Sequence, residues 1–225
     1  MNRSALILAT AALLASTAPA GAGFVIQVGD LQLQTGGTGF LDVSIRSDAT
    51  GGDRLNAFGF ELRIETTGPA RLEFVSPQPD PQLGSPNYVF AGNSLDGTLG
   101  LPVGRVLATS VPNDTFVGGD STNTGEVTVT GNRLLARILV TGATRLAPRA
   151  GDTFTISVVS RAPTSNTLFL NDAGTVGFTT RSGTVTVASV PEPGSLVLLA
   201  TGGLLAFAGM IRGPGAPGRG RSAAG

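Results

Sequence analysis

NAFGFELRIE, residues 56 to 65, decides the fold. Phe58, Phe60, Leu62 and Ile64 recur at every second position, with Gly59, Glu61, Arg63 and Glu65 between them. Successive side chains point to opposite faces only in an extended chain. On a helix the same spacing would scatter the four apolar residues around the whole circumference. The stretch therefore predicts a half-buried strand, its Phe58 face inward and its Glu61, Arg63 and Glu65 face in solvent.

The same period extends in both directions along the chain. In GFLDVSIRS (39–47), Leu41, Val43 and Ile45 oppose Asp42, Ser44 and Arg46. In DTFTISVVS (152–160), Phe154, Ile156 and Val158 oppose Thr153, Thr155 and Ser157. Val185 and Val187 alternate with threonines in SGTVTVA (182–188). NRLLARILVTG (132–142) is apolar on both sides, which predicts a strand central in its sheet. Glycine-, proline- and asparagine-rich stretches separate these runs: 48–53, 76–87, 111–126, 161–167 and 170–175. Many short strands with such punctuation predict an all-β sandwich or barrel over 23–188. No helix is expected before residue 194.

The chain has 225 residues, with 33 glycines, one tyrosine, and no cysteine, histidine or tryptophan. All 15 basic residues are arginine. Without cysteine there are no disulfides, thiolate metal sites or cysteine nucleophiles. Without histidine the commonest general base and metal ligand is missing. Between Gly23 and Val190 there are 11 arginines against 14 acidic residues, so the body offers no basic stripe for nucleic acid. No cofactor is expected.

Both ends differ from the body. MNRSALILATAALLASTAPAGAG has a positive Arg3, an apolar run from Ala5 to Ala15, and a small-residue exit. It predicts a signal peptide over 1–22, with Ala20 and Ala22 at the cleavage positions. Gly194 to Ile211 is an uncharged run of 18 residues, which as a helix would be about 27 Å long, close to the hydrocarbon thickness of a bilayer. Arg212, Arg219 and Arg221 follow it and predict a cytoplasmic end, with the body outside. Residues 213–225 are rich in glycine, proline and arginine and predict a disordered basic tail.

Val190, Pro191, Glu192 and Pro193, then the apolar run, then arginine, resemble the PEP-CTERM sorting signal of exported bacterial proteins, here over 189–212. The resemblance implies recognition of Pro191, Glu192 and Pro193 by an exosortase, a membrane-embedded processing enzyme. It also implies transient anchoring in the inner membrane, and a host that makes exopolysaccharide. The order of strand-like segments in 25–187, from VGDLQLQTGGTGFLDVSI through LNAFGFELRI, LEFVS, LLARILV and GDTFTISVV to LNDAGTVGFTTRSGTVTV, resembles the cohesin domain. That resemblance implies a jelly-roll β-sandwich related to carbohydrate-binding modules.

Three sets of residues are candidate sites. Asp120, Asn123, Glu126, Asn171 and Asp172 are oxygen ligands of the kind Ca²⁺ takes, and also what turns require. Glu61 and Glu65 share a strand face about 13 Å apart at Cα, a wide spacing for a glycosidase pair. Tyr88 is the sole aromatic platform available to a sugar or other ligand, or else a strand-edge tyrosine with a satisfied hydroxyl. The sequence thus supports a non-enzymatic protein of the cell surface or extracellular matrix. The alternatives are a cohesin-type binding module for a partner protein domain or a glycan, and a carboxylate-dependent glycoside hydrolase.

Overall fold

The computed structural model describes residues 23–107, 113–160 and 167–189. Its first strands are β1 Phe24–Val28, β2 Leu31–Gln34, β3 Thr38–Ser47, β4 Asp53–Leu55, β5 Ala57–Glu65, β6 Leu72–Phe74, β7 Gly104–Leu107 and β8 Thr115–Ser121. They are followed by β9 Val127–Val129, β10 Arg133–Gly142, β11 Thr153–Val158, β12 Leu168–Asn171, β13 Gly174–Thr175, β14 Phe178–Arg181 and β15 Gly183–Ala188. One sheet has the order β14-β1-β3-β10-β6. The other runs β7-β8-β5 and continues through β11, β15 and β2, with β12 and β13 beside the first half of β5. A ribbon of β4 and β9 stands apart from both.

The inward rows of the two sheets meet in one core. Phe58, Phe60, Leu62 and Ile64 of β5 are buried, as are Leu41, Val43 and Ile45 of β3 and Phe154, Ile156 and Val158 of β11. Phe24 of the first sheet lies 5.8 Å, ring to ring, from Phe169 of the second, and Phe74 of the first lies 5.7 Å from Phe116 of the second. Burying each such side chain stabilises the fold by about 1.5–3 kcal/mol. β10 is interior to its sheet, between β3 and β6, as its two-sided apolar pattern predicts. A register shift between Leu134 and Ala136 places Leu135 in the core as well.

The chain enters and leaves in parallel, and at both ends it changes sheets. β1 pairs with β14 in the first sheet, and β2 with β15 in the second. Gly29 and Asp30 carry the first crossing; Ser182 carries the other. Asp30 Oδ1 accepts from the Thr184 amide at 2.8 Å, tying the two crossings together.

Two sequence expectations are corrected. Residues 111–126 are not all turn: Thr115–Ser121 is β8, which pairs with β5 from Ala57 to Arg63. Its glycines mislead because they serve packing. A β-carbon on Gly118 would meet the Phe60 and Phe116 rings at 2.8 and 2.9 Å, so the rings fill the space a side chain would occupy. Helix also occurs before residue 194. Pro81–Gly84 is a 3₁₀ turn, and α1, Leu95–Leu99, is a short helix. Ser94 Oγ caps α1 by accepting from the Gly97 amide at 2.8 Å, and Gly100 ends it at φ 67°. A helix this short has too few apolar residues to show a 3.6-residue period.

Candidate functional site

Tyr88 is not an exposed platform. It is 1% exposed, and its Oη donates to Asp120 Oδ2 at 2.6 Å. Asp120 faces inward from β8, opposite Phe58. It also accepts from Ser94 Oγ at 2.5 Å, from the Asp96 amide at 3.1 Å and from the Ser121 amide at 2.7 Å. Four donors thus satisfy both carboxylate oxygens of a buried side chain. Burial, and then the adjacent Asp120 carboxylate, push the Tyr88 phenol far above its ordinary range. Asp96 is shifted upward too, by burial first and by Asp120 and Asp80 second. The alternative reading of Tyr88, a tyrosine with a satisfied hydroxyl, is what the structure holds.

The calcium candidates do not converge. Asp120 is committed to the interior. Glu126 accepts from Arg54 Nη1 at 3.2 Å through Oε2 and from the Asp172 amide at 2.6 Å through Oε1. Asp172 Oδ1 accepts from Asn56 Nδ2 at 2.8 Å, and Asn171 Oδ1 from the Ala173 amide at 2.9 Å. Asn123 donates its amide to the Asn93 carbonyl at 2.7 Å. Among the described residues no three acidic side chains gather where a metal ion would fit. Glu126 instead joins the β8–β9 turn to the β12–β13 turn through the Asp172 amide, Asp172 ties that turn to Asn56, and Asn171 closes the turn on itself.

Glu61 corrects the expected solvated face of β5. It is 3% exposed, and its Oε1 accepts from Arg63 Nε at 3.2 Å and Nη2 at 3.1 Å. Glu65 is exposed and accepts from Ser157 Oγ at 2.8 Å. One carboxylate is covered and ion-paired and the other lies open on the strand, so the two do not flank a common cleft.

Two surfaces emerge that the sequence reading did not single out. The first is the outward face of the second sheet. Register aligns Arg105, Val117 and Glu61 in one row and Leu107, Thr115, Arg63 and Ser157 in the next. Arg105, Arg63, Glu65 and Thr155 are exposed on it. The second is an open groove of about 820 Å³ at one end of the sandwich, between the β5–β6 turn and the β10–β11 loop. Ala70, Pro148 and Phe154 line it, together with several threonines and the exposed Arg145 and Arg149. The loops that supply these residues are distant in sequence, which hides the groove from linear reading.

The sorting residues Pro191, Glu192 and Pro193, the arginines 212, 219 and 221, and Ala20 and Ala22 lie outside the described residues. So does the apolar run 194–211. No described helix is long and apolar enough to cross a membrane.

No protein-family model matches the chain, and no curated protein matches it either. Its similarity is to solved structures of cohesins. A cohesin of ScaC from Acetivibrio cellulolyticus, solved in complex with the ScaB dockerin, is 10% identical with a TM-score of 0.48, over 73% of this chain and 99% of that one. A non-cellulosomal cohesin from Archaeoglobus fulgidus is 13% identical with a TM-score of 0.44, over 78% and 96%. CaCohA2 from Clostridium acetobutylicum is 10% identical with a TM-score of 0.47, over 75% and 92%. No residue role is carried over from them.

Proposed function

We propose that this protein is an exported, non-catalytic binding module, and that the outward face of its second sheet engages a partner protein domain. The observation that carries the reading is the character of that face. It is a broad surface across four strands, β7, β8, β5 and β11, with exposed charges of both signs around the Arg63–Glu61 ion pair at 3.1 Å. Interspersed charges set orientation and partner choice on a flat protein interface, whereas a small substrate needs a concave site. The covered, ion-paired state of Glu61 supports a binding rather than a hydrolytic role. One of the cohesins named above, that of ScaC, was solved with a dockerin domain, a partner of the class proposed here.

Export is part of the proposal. The signal-peptide pattern of 1–22 and the Pro191-Glu192-Pro193 segment, followed by 18 uncharged residues and arginines, support secretion with exosortase-type processing. The module then acts at the cell surface or in an exopolysaccharide matrix.

The test is saturable capture. Immobilised full-length protein is exposed to matrix extract of the source cells, the retained protein is identified, and its binding is titrated. Arg105→Glu with Thr155→Arg, two exposed positions on the face, is expected to abolish retention. Diffuse, non-saturating retention that the double variant leaves unchanged would establish a passive matrix role instead.

A further inference from the structure

We infer that the groove at the end of the sandwich is a second binding site, distinct from the sheet face, and that it takes an anionic polysaccharide. Arg145 and Arg149 place its acidic groups, and the threonine walls meet its hydroxyls.

The groove is built rather than incidental. The β5–β6 turn is fixed from inside: Thr66 Oγ1 donates to the Ala70 carbonyl at 3.1 Å, and Arg71 Nη1 to the Gly68 and Ala70 carbonyls at 2.6 and 3.0 Å. The facing wall is locked to it by the Arg71 amide donating to the Leu146 carbonyl and the Ala143 amide to the Arg71 carbonyl, each at 2.9 Å. The far end of that loop is pinned to β15, because the Gly151 amide donates to the Val187 carbonyl at 2.8 Å and the Val187 amide to the Asp152 carbonyl at 2.9 Å. Walls held this way lose little conformational freedom when a ligand enters.

Its charge is what selects the ligand. Arg54, Arg63 and Arg137 are each paired with a carboxylate. Arg145 and Arg149 are exposed, and among the described residues neither side chain forms an ion pair. The carboxylate in the lining, Asp152, is turned to its own loop, where Oδ2 accepts from the Arg149 amide at 2.7 Å. A body with more acidic than basic residues therefore keeps two free guanidiniums at one groove. Guanidinium forks match carboxylate and sulfate groups. The aromatic residue in the lining, Phe154, is buried at 2% exposure, so no ring is open to stack on a neutral sugar. A volume of about 820 Å³ with an open mouth suits a few residues of a continuous chain.

The experiment uses full-length protein held in detergent-free amphipol, which leaves lipid bilayers intact, with three probes: polygalacturonate, neutral dextran, and phosphatidylglycerol vesicles. Affinity electrophoresis and calorimetry are expected to show polygalacturonate binding and no dextran binding. Arg145→Glu with Arg149→Glu should weaken polygalacturonate binding at least about tenfold, and Arg46→Glu with Arg181→Glu, a matched charge change on the other sheet, should leave it unchanged. Raising salt from about 0.05 to about 0.5 M should weaken it as well. The inference is overturned by equal retention on dextran, by no retention on polygalacturonate, or by indifference to the Arg145 and Arg149 reversal. It is also overturned by arginine-dependent binding to the vesicles with none to polygalacturonate, which would make the groove a lipid-headgroup surface.

Discussion

Gly183 lies directly against the Gly29 carbonyl, and this contact joins the two points at which the chain crosses between sheets. A β-carbon on Gly183 would collide with the Gly29 carbonyl oxygen and approach Val28 Cγ1 to 2.9 Å. Backbone cannot swing aside as a side-chain tip can, because β1 and β2 are paired on both sides of the contact. Gly183→Ala is therefore expected to destabilise by about 2–3 kcal/mol, while Gly68→Ala, where nothing lies within 4 Å, should change stability by under about 0.5 kcal/mol. Urea denaturation of the two variants checks this. Equal midpoints would mean that the crossings can separate.

Tyr88 gives the domain an alkaline limit. The chain has one tyrosine, no lysine and no cysteine, so between about pH 9 and 12 Tyr88 is the side chain that titrates. Its folded pKa is raised, so its contribution is fully present below about pH 10, the unfolded value, and is lost as pH rises toward the folded one. Stability should fall by about 1.4 kcal/mol per pH unit above pH 10. Absorbance at 295 nm should report tyrosinate only as the protein unfolds. Tyr88→Phe should remove this slope and cost about 1–3 kcal/mol at neutral pH, because Asp120 loses a buried donor. A normal tyrosinate titration of folded protein would contradict the Tyr88–Asp120 bond.

Arg63 should matter more than its exposure suggests. Arg63→Ala strips two charge-assisted hydrogen bonds from a carboxylate that is 3% exposed, at an expected cost of about 1–2 kcal/mol. Arg105→Ala, exposed on the same face without an ion pair among the described residues, should cost under about 0.5 kcal/mol. Phe60→Ala, in the core, should cost about 3–5 kcal/mol. Thermal unfolding ranks the three, and Arg63 falling level with Arg105 would show that Glu61 does not depend on the pair.

The two halves of the C-terminal signal should separate by mutation. Replacing Pro191-Glu192-Pro193 with three alanines substitutes helix formers for residues that disfavour helix, and on the proposed sorting role should leave the protein uncut in the inner membrane. Leu199→Arg puts a charge near the middle of the proposed span at about 2.5–3.5 kcal/mol, and should release the protein with its C-terminus intact. Mass spectrometry of the mature C-terminus in a host with the processing enzyme decides between them. Wild type and the triple alanine variant both retaining residues 194–221 in the membrane would reduce the segment to a plain anchor.

The inward rows of β3, β5 and β11 were legible because a period of two is a local property. A strand with one face in the core must alternate, and Phe58 to Ile64 do so without regard to what they meet. β8 was not legible, because Gly118 answers to the Phe60 and Phe116 rings and Gly119 to the Phe58 carbonyl of the neighbouring strand rather than to any local preference. Tyr88 was legible only as a choice between platform and buried hydroxyl, and the partner that settles the choice, Asp120, is 32 residues away.

The sequence by itself determined the mostly-β class, the inward rows of β3, β5, β11 and β15, and the excluded chemistries, since these depend on residue type and local spacing alone. Tertiary structure decided the rest: that Glu61 is buried and ion-paired with Arg63, that Asp120 closes on Tyr88 and Ser94 instead of a cation, and that Arg145 and Arg149 stand without an ion pair among the described residues at a groove. Each of these depends on which distant segments meet. A carboxylate or guanidinium acquires its role from the charges and donors within a few ångströms of it, and strand pairing across the sheets chooses those neighbours.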